Sequence, residues 1–266
     1  MCHTPDSRPP APPVVGDIDS TGSLELTAAD GNVLAAYEAI PVGEPQARVV
    51  LLPDIRGLHP YYRALAERFA EAGVHAVAID YFGRTAGPQL RDDDFVFRPH
   101  VDALTPEQVT ADVAAAVRHL APESSHPVYT VGFCLGGSHS WRLAAAGIGL
   151  AGSIGFYGRP ALVPETADDD AAPILALIAG ADAATPVEEA VAFVERLRAL
   201  GRTVEYQVYD GAPHSFFDRS FAEHEAACAD AWRRMLAFLH VTGPVTDLDD
   251  STDLADLADL ADRTSR

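Results

Sequence analysis

The stretch "VGFCLGGSHSW", Val131–Trp141, places a cysteine between glycines directly after an apolar run. Gly132 and Gly136 stand two positions either side of Cys134, and Gly137 adds a further small residue. Small residues at these positions let the backbone turn sharply from a strand into a helix without clashes. The preceding "VYTVGF" predicts a strand, and the segment after the cysteine predicts a helix. This context is typical of a nucleophile elbow, in which a reactive side chain stands at the tip of the turn.

Strands and helices are predicted to alternate on both sides of this turn. "RVVLLPD" and "HAVAIDYFG" are apolar runs separated by the helical pattern "YYRALAERFAEAG", and similar units follow the elbow. Nearer the start, Asp30-Gly31-Asn32 predicts the turn of a hairpin. Such alternation predicts a mostly parallel sheet covered by helices on both faces. We therefore expect a single α/β domain with the α/β-hydrolase fold and no separate cap domain.

The two ends of the chain differ in composition from the middle. The first fifteen or so residues are rich in proline, and the last twenty repeat Asp-Leu-Ala three times. We expect a flexible Pro-rich segment over 1–20, the domain over 21–242, and an acidic, disordered tail over 243–266. A docking helix is the alternative for the tail, although a three-residue period drifts away from the helical period of 3.6.

Charge and cysteine content restrict the partners and the compartment. Nineteen basic and thirty-nine acidic residues give a net charge of −20, which repels nucleic acids and anionic membranes. The start of the chain lacks the pattern of a secretion signal, so we expect a cytoplasmic protein with free thiols at Cys2, Cys134 and Cys228.

No His, Asp and Cys side chains show metal-ligand spacing, so neither a metal nor a cofactor is expected. A monomer and a small homo-oligomer both remain open.

An elbow nucleophile needs an acid and then a histidine later in the chain. His214 lies in "DGAPHSFF", just past a predicted strand, whereas His224 and His240 fall within or at the end of the last predicted helix. We therefore favour His214 as the base. Asp182 ends the predicted strand "ILALIAGAD" and is the favoured acid. The competing run Asp168–Asp170 precedes that strand, and we expect it to be a solvated loop.

Several motifs together resemble one known family. "GFCLGG", "GAD" and "PHSF", with "LPDIRG" and "DYFGR", are similar to motifs of the dienelactone hydrolase (carboxymethylenebutenolidase) family, over about residues 24 to 240. This family comprises cysteine-nucleophile members of the α/β-hydrolase fold. The resemblance implies cleavage of a small lactone or carboxylic ester through a thioester on Cys134, without a cofactor. A thiol ionises with a pKa of ~8.5, so a modest influence from His214 is enough to produce the thiolate.

The resemblance also implies roles around the thiol. Family members carry a carboxylate, usually glutamate, on the loop after the first central parallel strand, and Asp54 occupies that position. Aspartate is shorter by one C–C bond, ~1.5 Å, so a bridging water or a simple loop-capping role is the alternative to direct contact. By the logic of the fold, the backbone N–H groups of Leu135 and Ile55 form the oxyanion hole.

Three arginines are candidates for binding a substrate carboxylate. Arg84 lies where the family has an arginine that holds a substrate carboxylate, a role that suits a guanidinium. A second family arginine closely follows the catalytic histidine, but here that offset carries Asp218, and Arg219 comes one residue later. Arg56 is a further candidate, with a surface arginine as the alternative.

Two other functions are also compatible with the sequence. The altered arginine pattern also suits a general esterase or thioesterase that acts on a neutral substrate. A redox-sensing or binding protein that uses Cys134 is the third possibility, since reactive elbow thiols are oxidisable. A sensor would not need Asp182 and His214 in the order of a catalytic triad.

Overall fold

The computed structural model describes residues 7–92, 94–121, 126–168, 170–218 and 221–241. Its strands are β1 (Ile18–Thr27), β2 (Val33–Pro41), β3 (Ala47–Leu52), β4 (Val74–Ile79), β5 (Val128–Phe133), β6 (Gly152–Phe156), β7 (Ile174–Ala179) and β8 (Val204–Tyr209). Its helices are α1 (Pro60–Glu71), α2 (Gly83–Ala86), α3 (Arg98–Asp102), α4 (Pro106–Leu120), α5 (Leu135–Leu143), α6 (Val187–Ala199) and α7 (Glu225–Phe238).

The eight strands form one sheet in the order β1-β2-β4-β3-β5-β6-β7-β8. From β4 to β8 in that order every neighbouring pair is parallel, whereas β1 and β2 form an antiparallel hairpin and β2 is antiparallel to β4. The hairpin turns at Gly31, whose φ of 85° is readily adopted by glycine. Both the hairpin and the mostly parallel sheet match the expectation from the sequence.

Helices cover both faces of the sheet. On one face α1 and α7 pack against the strands, and Phe69 of α1 meets Trp232 of α7 with ring centroids 4.8 Å apart. On the other face lie α4, α5 and α6, where Trp141 of α5 contacts Phe193 of α6. All six residues of β5 are buried, because helices cover it from both sides. This architecture is the α/β-hydrolase fold.

The segment between β4 and α4 carries only the short helices α2 and α3, so the described part of the chain has no separate cap domain. A proline at the first position and a capping box start α4: the Thr105 side chain accepts from the amide of Gln108, and the Gln108 side chain accepts from the amide of Thr105. Within the residues that the structure describes, no helix is long and apolar enough to cross a membrane.

Part of the proline-rich start of the chain packs against the domain. Pro9, Pro10 and Pro12 are buried, and the indole N–H of Trp232 donates to the carbonyl of Pro10 at 3.1 Å. Residues 7–20 of the segment predicted to be flexible are described by the structure, and Pro10 is docked on α7 by this hydrogen bond. The predicted tail, 243–266, lies outside the described residues.

Candidate active site

Cys134 stands at the sharp turn between β5 and α5. Its φ of 55° and ψ of −112° are unusual for a residue with a side chain. Two hydrogen bonds hold this conformation: the Cys134 amide donates to the carbonyl of Phe156 at 3.1 Å, and the Cys134 carbonyl accepts from the amide of Ser138 at 3.1 Å. The half-buried thiol is thereby placed at the carboxyl edge of the sheet, where ligands bind in open α/β folds.

Close backbone contacts explain the glycines on either side of Cys134. A Cβ atom at Gly132 would lie 2.0 Å from the carbonyl oxygen of Gly136. A Cβ atom at Gly136 would lie 2.0 Å from the carbonyl oxygen of Leu52 and 2.4 Å from that of Pro53. The elbow therefore packs directly against the end of β3, and the loop that follows β3 is its neighbour.

Asp182 and His214, predicted from separate loops, meet in the structure. Asp182 follows β7 and His214 follows β8, and these strands are parallel neighbours, so their carboxyl ends lie side by side. The His214 Nδ1 lies 2.7 Å from the Asp182 Oδ2. The Asp182 Oδ1 accepts from the backbone amides of Ala184 and Thr185 at 2.7 and 3.3 Å. The carboxylate thus orients one ring nitrogen and is itself held by its own loop.

The electrostatics of Asp182 favour a charged carboxylate. Burial opposes ionisation, but the hydrogen bonds from His214 and from the amides of Ala184 and Thr185 outweigh it and hold the pKa of Asp182 below its ordinary value. Asp182 is therefore ionised at neutral pH and can stabilise a positive charge on the imidazole.

The other candidate histidines and aspartates lie elsewhere in the structure. His224 precedes the first residue of α7, and His240 is exposed beyond its end. Asp170 is exposed, and its amide donates to the side chain of Asp168, so these two residues form a polar turn. The choice of Asp182 over this run agrees with the contact to His214.

Asp54 lies in the loop after β3 and is fully buried. Its Oδ1 accepts from the backbone amide of Arg56 at 2.8 Å, and its own amide donates to the Tyr62 hydroxyl at 3.0 Å. Since Leu52 pairs with Gly132 in the sheet, the loop of Asp54 and the elbow extend from adjacent strand ends. The loop of Asp54 is therefore a close neighbour of the elbow, and the carboxylate organises that loop.

Tyr81 was not predicted from the sequence, although it lies in the quoted motif "DYFGR". Its hydroxyl donates to the carbonyl of Pro53 at 2.9 Å, which ties the ends of β3 and β4 together. Burial raises the pKa of Tyr81 well above its ordinary value, and the neighbouring Asp54, Asp80 and Cys134 raise it further. Tyr81 is thus a neutral hydrogen-bond donor in this site.

Arg84, predicted to hold a substrate carboxylate, forms ion pairs with two carboxylates of the chain itself. One end of its guanidinium contacts the buried Asp112 of α4 at 2.6 Å, and the other end contacts Asp30 of the β1–β2 hairpin. Two carboxylates thus neutralise the guanidinium, which ties the hairpin to α4. Arg56 is buried and is not a surface arginine, and Arg219 lies outside the described residues.

Leu135 and Ile55, the two residues predicted to form the oxyanion hole, lie on α5 and on the loop after β3. Leu135 is the first residue of α5, where backbone N–H groups have no acceptor within the helix. Ile55 lies between Asp54 and Arg56 on the loop after β3. Both residues are half-buried at the carboxyl edge of the sheet. Across the described ranges, no cluster of three or more His, Cys, Asp or Glu side chains could hold a metal ion.

The chain is similar to known proteins over most of its length. The family model of the dienelactone hydrolase family matches residues 34–242. A Salmonella typhi protein, named provisionally as a carboxymethylenebutenolidase, is 30% identical over 253 residues, which cover 87% of this chain and 92% of that protein. A Bradyrhizobium sp. protein, named provisionally as a 2-oxo-3-(5-oxofuran-2-ylidene)propanoate lactonase, is 29% identical over 235 residues, which cover 82% of this chain and 94% of that protein.

Among solved structures, a provisionally assigned dienelactone hydrolase from Klebsiella pneumoniae subsp. pneumoniae MGH 78578 superposes with a TM-score of 0.68 and 27% identity. The superposition covers 84% of this chain and 100% of that chain. The family match spans most of the chain and includes the elbow, Asp182 and His214. This chain therefore belongs to the dienelactone hydrolase family of carboxylic ester hydrolases.

Proposed function

We propose that the protein hydrolyses a small lactone or carboxylic ester with Cys134 as nucleophile, His214 as general base and acid, and Asp182 as the carboxylate that orients His214. The observation that carries this proposal is the 2.7 Å contact between His214 Nδ1 and Asp182 Oδ2 at the same sheet edge as the strained elbow of Cys134. With Nδ1 bonded to the carboxylate, Nε2 is the nitrogen that exchanges a proton with the thiol in this mechanism.

The reaction has two halves. In the first, Nε2 of His214 takes the thiol proton of Cys134, the sulfur attacks the carbonyl carbon, and the C–O bond breaks. The leaving alkoxide receives the proton from Nε2, and a thioester remains on Cys134. In the second, Nε2 takes a proton from water, the resulting hydroxide attacks the thioester, and the C–S bond breaks. The thiolate then recovers its proton from Nε2, and the carboxylic acid product is released.

The tetrahedral intermediates carry a negative oxygen that needs fixed donors. We assign this role to the backbone amides of Leu135 and Ile55. The first amide begins α5, so the positive end of that helix dipole adds to the stabilisation. The second lies on the β3 loop, against which the elbow packs. Within the described part of the chain, neither amide donates a hydrogen bond to another group.

Asp54 is included as an auxiliary carboxylate that helps to remove the thiol proton when substrate binds. Its complete burial next to the elbow supports this role. Since its side chain is one bond shorter than glutamate, the proposal includes a water between Asp54 and the thiol.

The arginine pattern supports a neutral ester or thioester as a second candidate substrate. Arg84 is engaged by Asp112 and Asp30, and Asp218 stands at the offset where the family has an arginine. A carboxylate-bearing lactone would then depend on Arg56 or Arg219. Two substrates that differ in charge separate these possibilities.

The test is hydrolysis of cis- and trans-dienelactone and of a neutral aryl acetate by the wild-type protein, Cys134→Ala and the control Cys228→Ala. Cys228 is a buried thiol of α7 that donates to the carbonyl of Phe216, and burial raises its pKa to about 12, so it is inert. We expect ester turnover in the wild type and the control but a loss of at least about a thousandfold in Cys134→Ala.

Turnover of dienelactone would support the carboxylate-bearing lactone, whereas turnover of the aryl acetate alone would support the neutral substrate. Equal rates in Cys134→Ala and the wild type would contradict Cys134 as nucleophile. An absence of turnover, together with a trapped sulfenic acid on Cys134 under mild peroxide, would favour the redox alternative.

A further inference from the structure

Tyr157 is a buried aromatic residue that the proposed mechanism does not use. It directly follows β6, and its amide donates to the carbonyl of Leu177 in β7 at 2.9 Å. Its φ of 36° is unfavourable for a residue with a side chain, and the ring is 2% exposed. The preceding residue, Phe156, accepts the hydrogen bond from the amide of Cys134. Tyr157 therefore lies at the edge of the sheet, next to the elbow.

The side chain of Tyr157 contacts both ends of the turn that carries the histidine. Its ring centroid lies 4.8 Å from that of His214, with the planes 53° apart. Its hydroxyl donates to the Oδ2 of the buried Asp218 at 3.1 Å. Between these two contacts lies Ser215, whose φ of 65° is also unfavourable for a residue with a side chain. One rigid side chain thus spans a strained turn from its first residue to its last.

The position of an imidazole depends on the packing of its ring as well as on its hydrogen bonds. The bond to Asp182 fixes the tautomer of His214, and the contact with the Tyr157 ring restricts tilting of the imidazole, which would move Nε2 relative to the thiol. Packing from an anchored neighbour limits such tilting, and catalytic groups lose rate steeply when they are displaced by about 1 Å. The Tyr157 ring is such a neighbour, because the carboxylate of Asp218 anchors its far end.

We propose that Tyr157 is a positioning residue for His214 and that Asp218 holds Tyr157 in place. This inference rests on the proposed function, since it concerns the alignment of His214 with Cys134. It also gives a role to Asp218, which stands where the family has an arginine. In this chain the carboxylate orders the histidine turn instead of binding substrate.

The chain offers a closely matched control. Tyr209, at the end of β8, also donates its hydroxyl to an aspartate, Asp230, at 3.0 Å, and its ring packs on Phe216. Asp230 lies on α7 and is not a residue of the histidine turn. Tyr157→Phe and Tyr209→Phe therefore each remove a tyrosine–aspartate hydrogen bond, buried at Tyr157 and partly buried at Tyr209, but only the first removes an anchor of the ring beside His214.

The experiment compares the wild type, Tyr157→Phe, Tyr157→Leu and Tyr209→Phe. Three quantities are measured: kcat and KM for an aryl acetate, the pH dependence of Cys134 alkylation by iodoacetamide with mass-spectrometric assignment of the peptide, and the melting temperature. For Tyr157→Phe we expect kcat to fall about tenfold while KM changes less than twofold. The pH of half-maximal alkylation should rise, because a displaced imidazole stabilises the thiolate less.

Tyr157→Leu also removes the ring, so kcat should fall further, by about a hundredfold. If this variant does not fold, Tyr157→Phe alone tests whether Tyr157 positions His214. Tyr209→Phe should keep the wild-type kcat and alkylation profile, whatever it does to the melting temperature. The inference is overturned if Tyr157→Phe keeps the wild-type kcat and the wild-type alkylation profile. It is also overturned if Tyr209→Phe changes kcat and the alkylation profile as much as Tyr157→Phe does.

Failure of the proposed function would look different. In that case wild type and Cys134→Ala would hydrolyse the ester at the same rate, or neither would hydrolyse it. Alkylation of Cys134 requires no ester turnover, so the shift between wild type and Tyr157→Phe would still show whether Tyr157 aligns the imidazole with the thiol.

Discussion

Cys134 occupies a backbone conformation that costs about 1–3 kcal/mol for a residue with a side chain. The surrounding structure holds it through the hydrogen bonds of its amide to Phe156 and of its carbonyl to the amide of Ser138. The result is a thiol raised above the sheet edge at the first turn of α5. The strain is local, but it determines where the reactive atom stands.

The role of Asp182 in setting the tautomer of His214 can be tested by one substitution. Asp182→Asn should reduce kcat for an aryl acetate by between about a hundredfold and ten-thousandfold, because an amide can donate to Nδ1 and so shift the ring proton to Nε2. In that tautomer His214 cannot accept the thiol proton. Steady-state kinetics at pH 7 measure the effect.

Asp168→Asn is the matched control for this change, since Asp168 contacts the amide of Asp170 and not the histidine. It should keep wild-type kcat. A loss of less than about tenfold in Asp182→Asn, or an equal loss in Asp168→Asn, would show that Asp182 does not set the tautomer of His214.

At the scale of elements, the site is assembled from the carboxyl ends of parallel strands. The loop after β3 contributes Asp54, the turn after β5 contributes Cys134, and the segments after β7 and β8 contribute Asp182 and His214. Parallel strands end at the same edge, so loops far apart in the sequence become neighbours. The glycine contacts between the elbow and the end of β3 fix the distance between two of these loops.

Gly136→Ala tests that contact between elements. Alanine would favour the helix by about 1 kcal/mol, but its Cβ would lie 2.0 Å from the carbonyl of Leu52, and neither backbone segment can move without disturbing β3 or α5. We expect overpacking to dominate and to lower the free energy of unfolding by at least about 1–3 kcal/mol. Esterase activity should fall as well. Urea unfolding and the aryl acetate assay are the measurements.

Gly22→Ala in β1 is the corresponding control, because a Cβ atom at Gly22 meets no atom within 4 Å. Its free energy of unfolding should stay at or slightly above that of the wild type, since alanine restricts the unfolded chain. If the two variants were equally stable, the elbow would not pack against β3 as closely as described.

At the scale of the whole molecule, the beginning of the chain is joined to its last helix. Trp232 of α7 and Pro10 are 222 residues apart in the sequence and share a buried hydrogen bond. The same indole packs on Phe69 of α1 and on Phe217 beside the histidine turn. This tryptophan therefore connects the N-terminal segment, the helix layer and the edge that carries the site.

Trp232→Phe should lower the free energy of unfolding by about 1–3 kcal/mol, because the buried carbonyl of Pro10 loses its donor and the smaller ring leaves space. Urea unfolding followed by circular dichroism measures the change. Ala11→Ser, an exposed substitution in the same segment, should have no effect. Equal stability of Trp232→Phe and the wild type would show that the N-terminal segment contributes nothing to the fold.

Features of this protein that depend on local backbone and on periodicity can be predicted from the amino-acid sequence. Glycines two positions either side of Cys134 are required by a turn within one short segment, and strand and helix periods are read over about ten residues. The order of acid and histidine then followed from the fold. For this reason the parallel sheet, the elbow and the pairing of Asp182 with His214 could all be predicted.

Contacts between side chains that are distant in the sequence depend on the three-dimensional packing. Arg84 pairs with Asp112 and Asp30, which lie 28 and 54 residues away, and no local pattern indicates that pairing. The contact of Tyr157 with His214 and the docking of Pro10 on Trp232 are of the same kind. Each depends on how helices and loops pack around the sheet, because packing brings together surfaces that the sequence describes only one at a time.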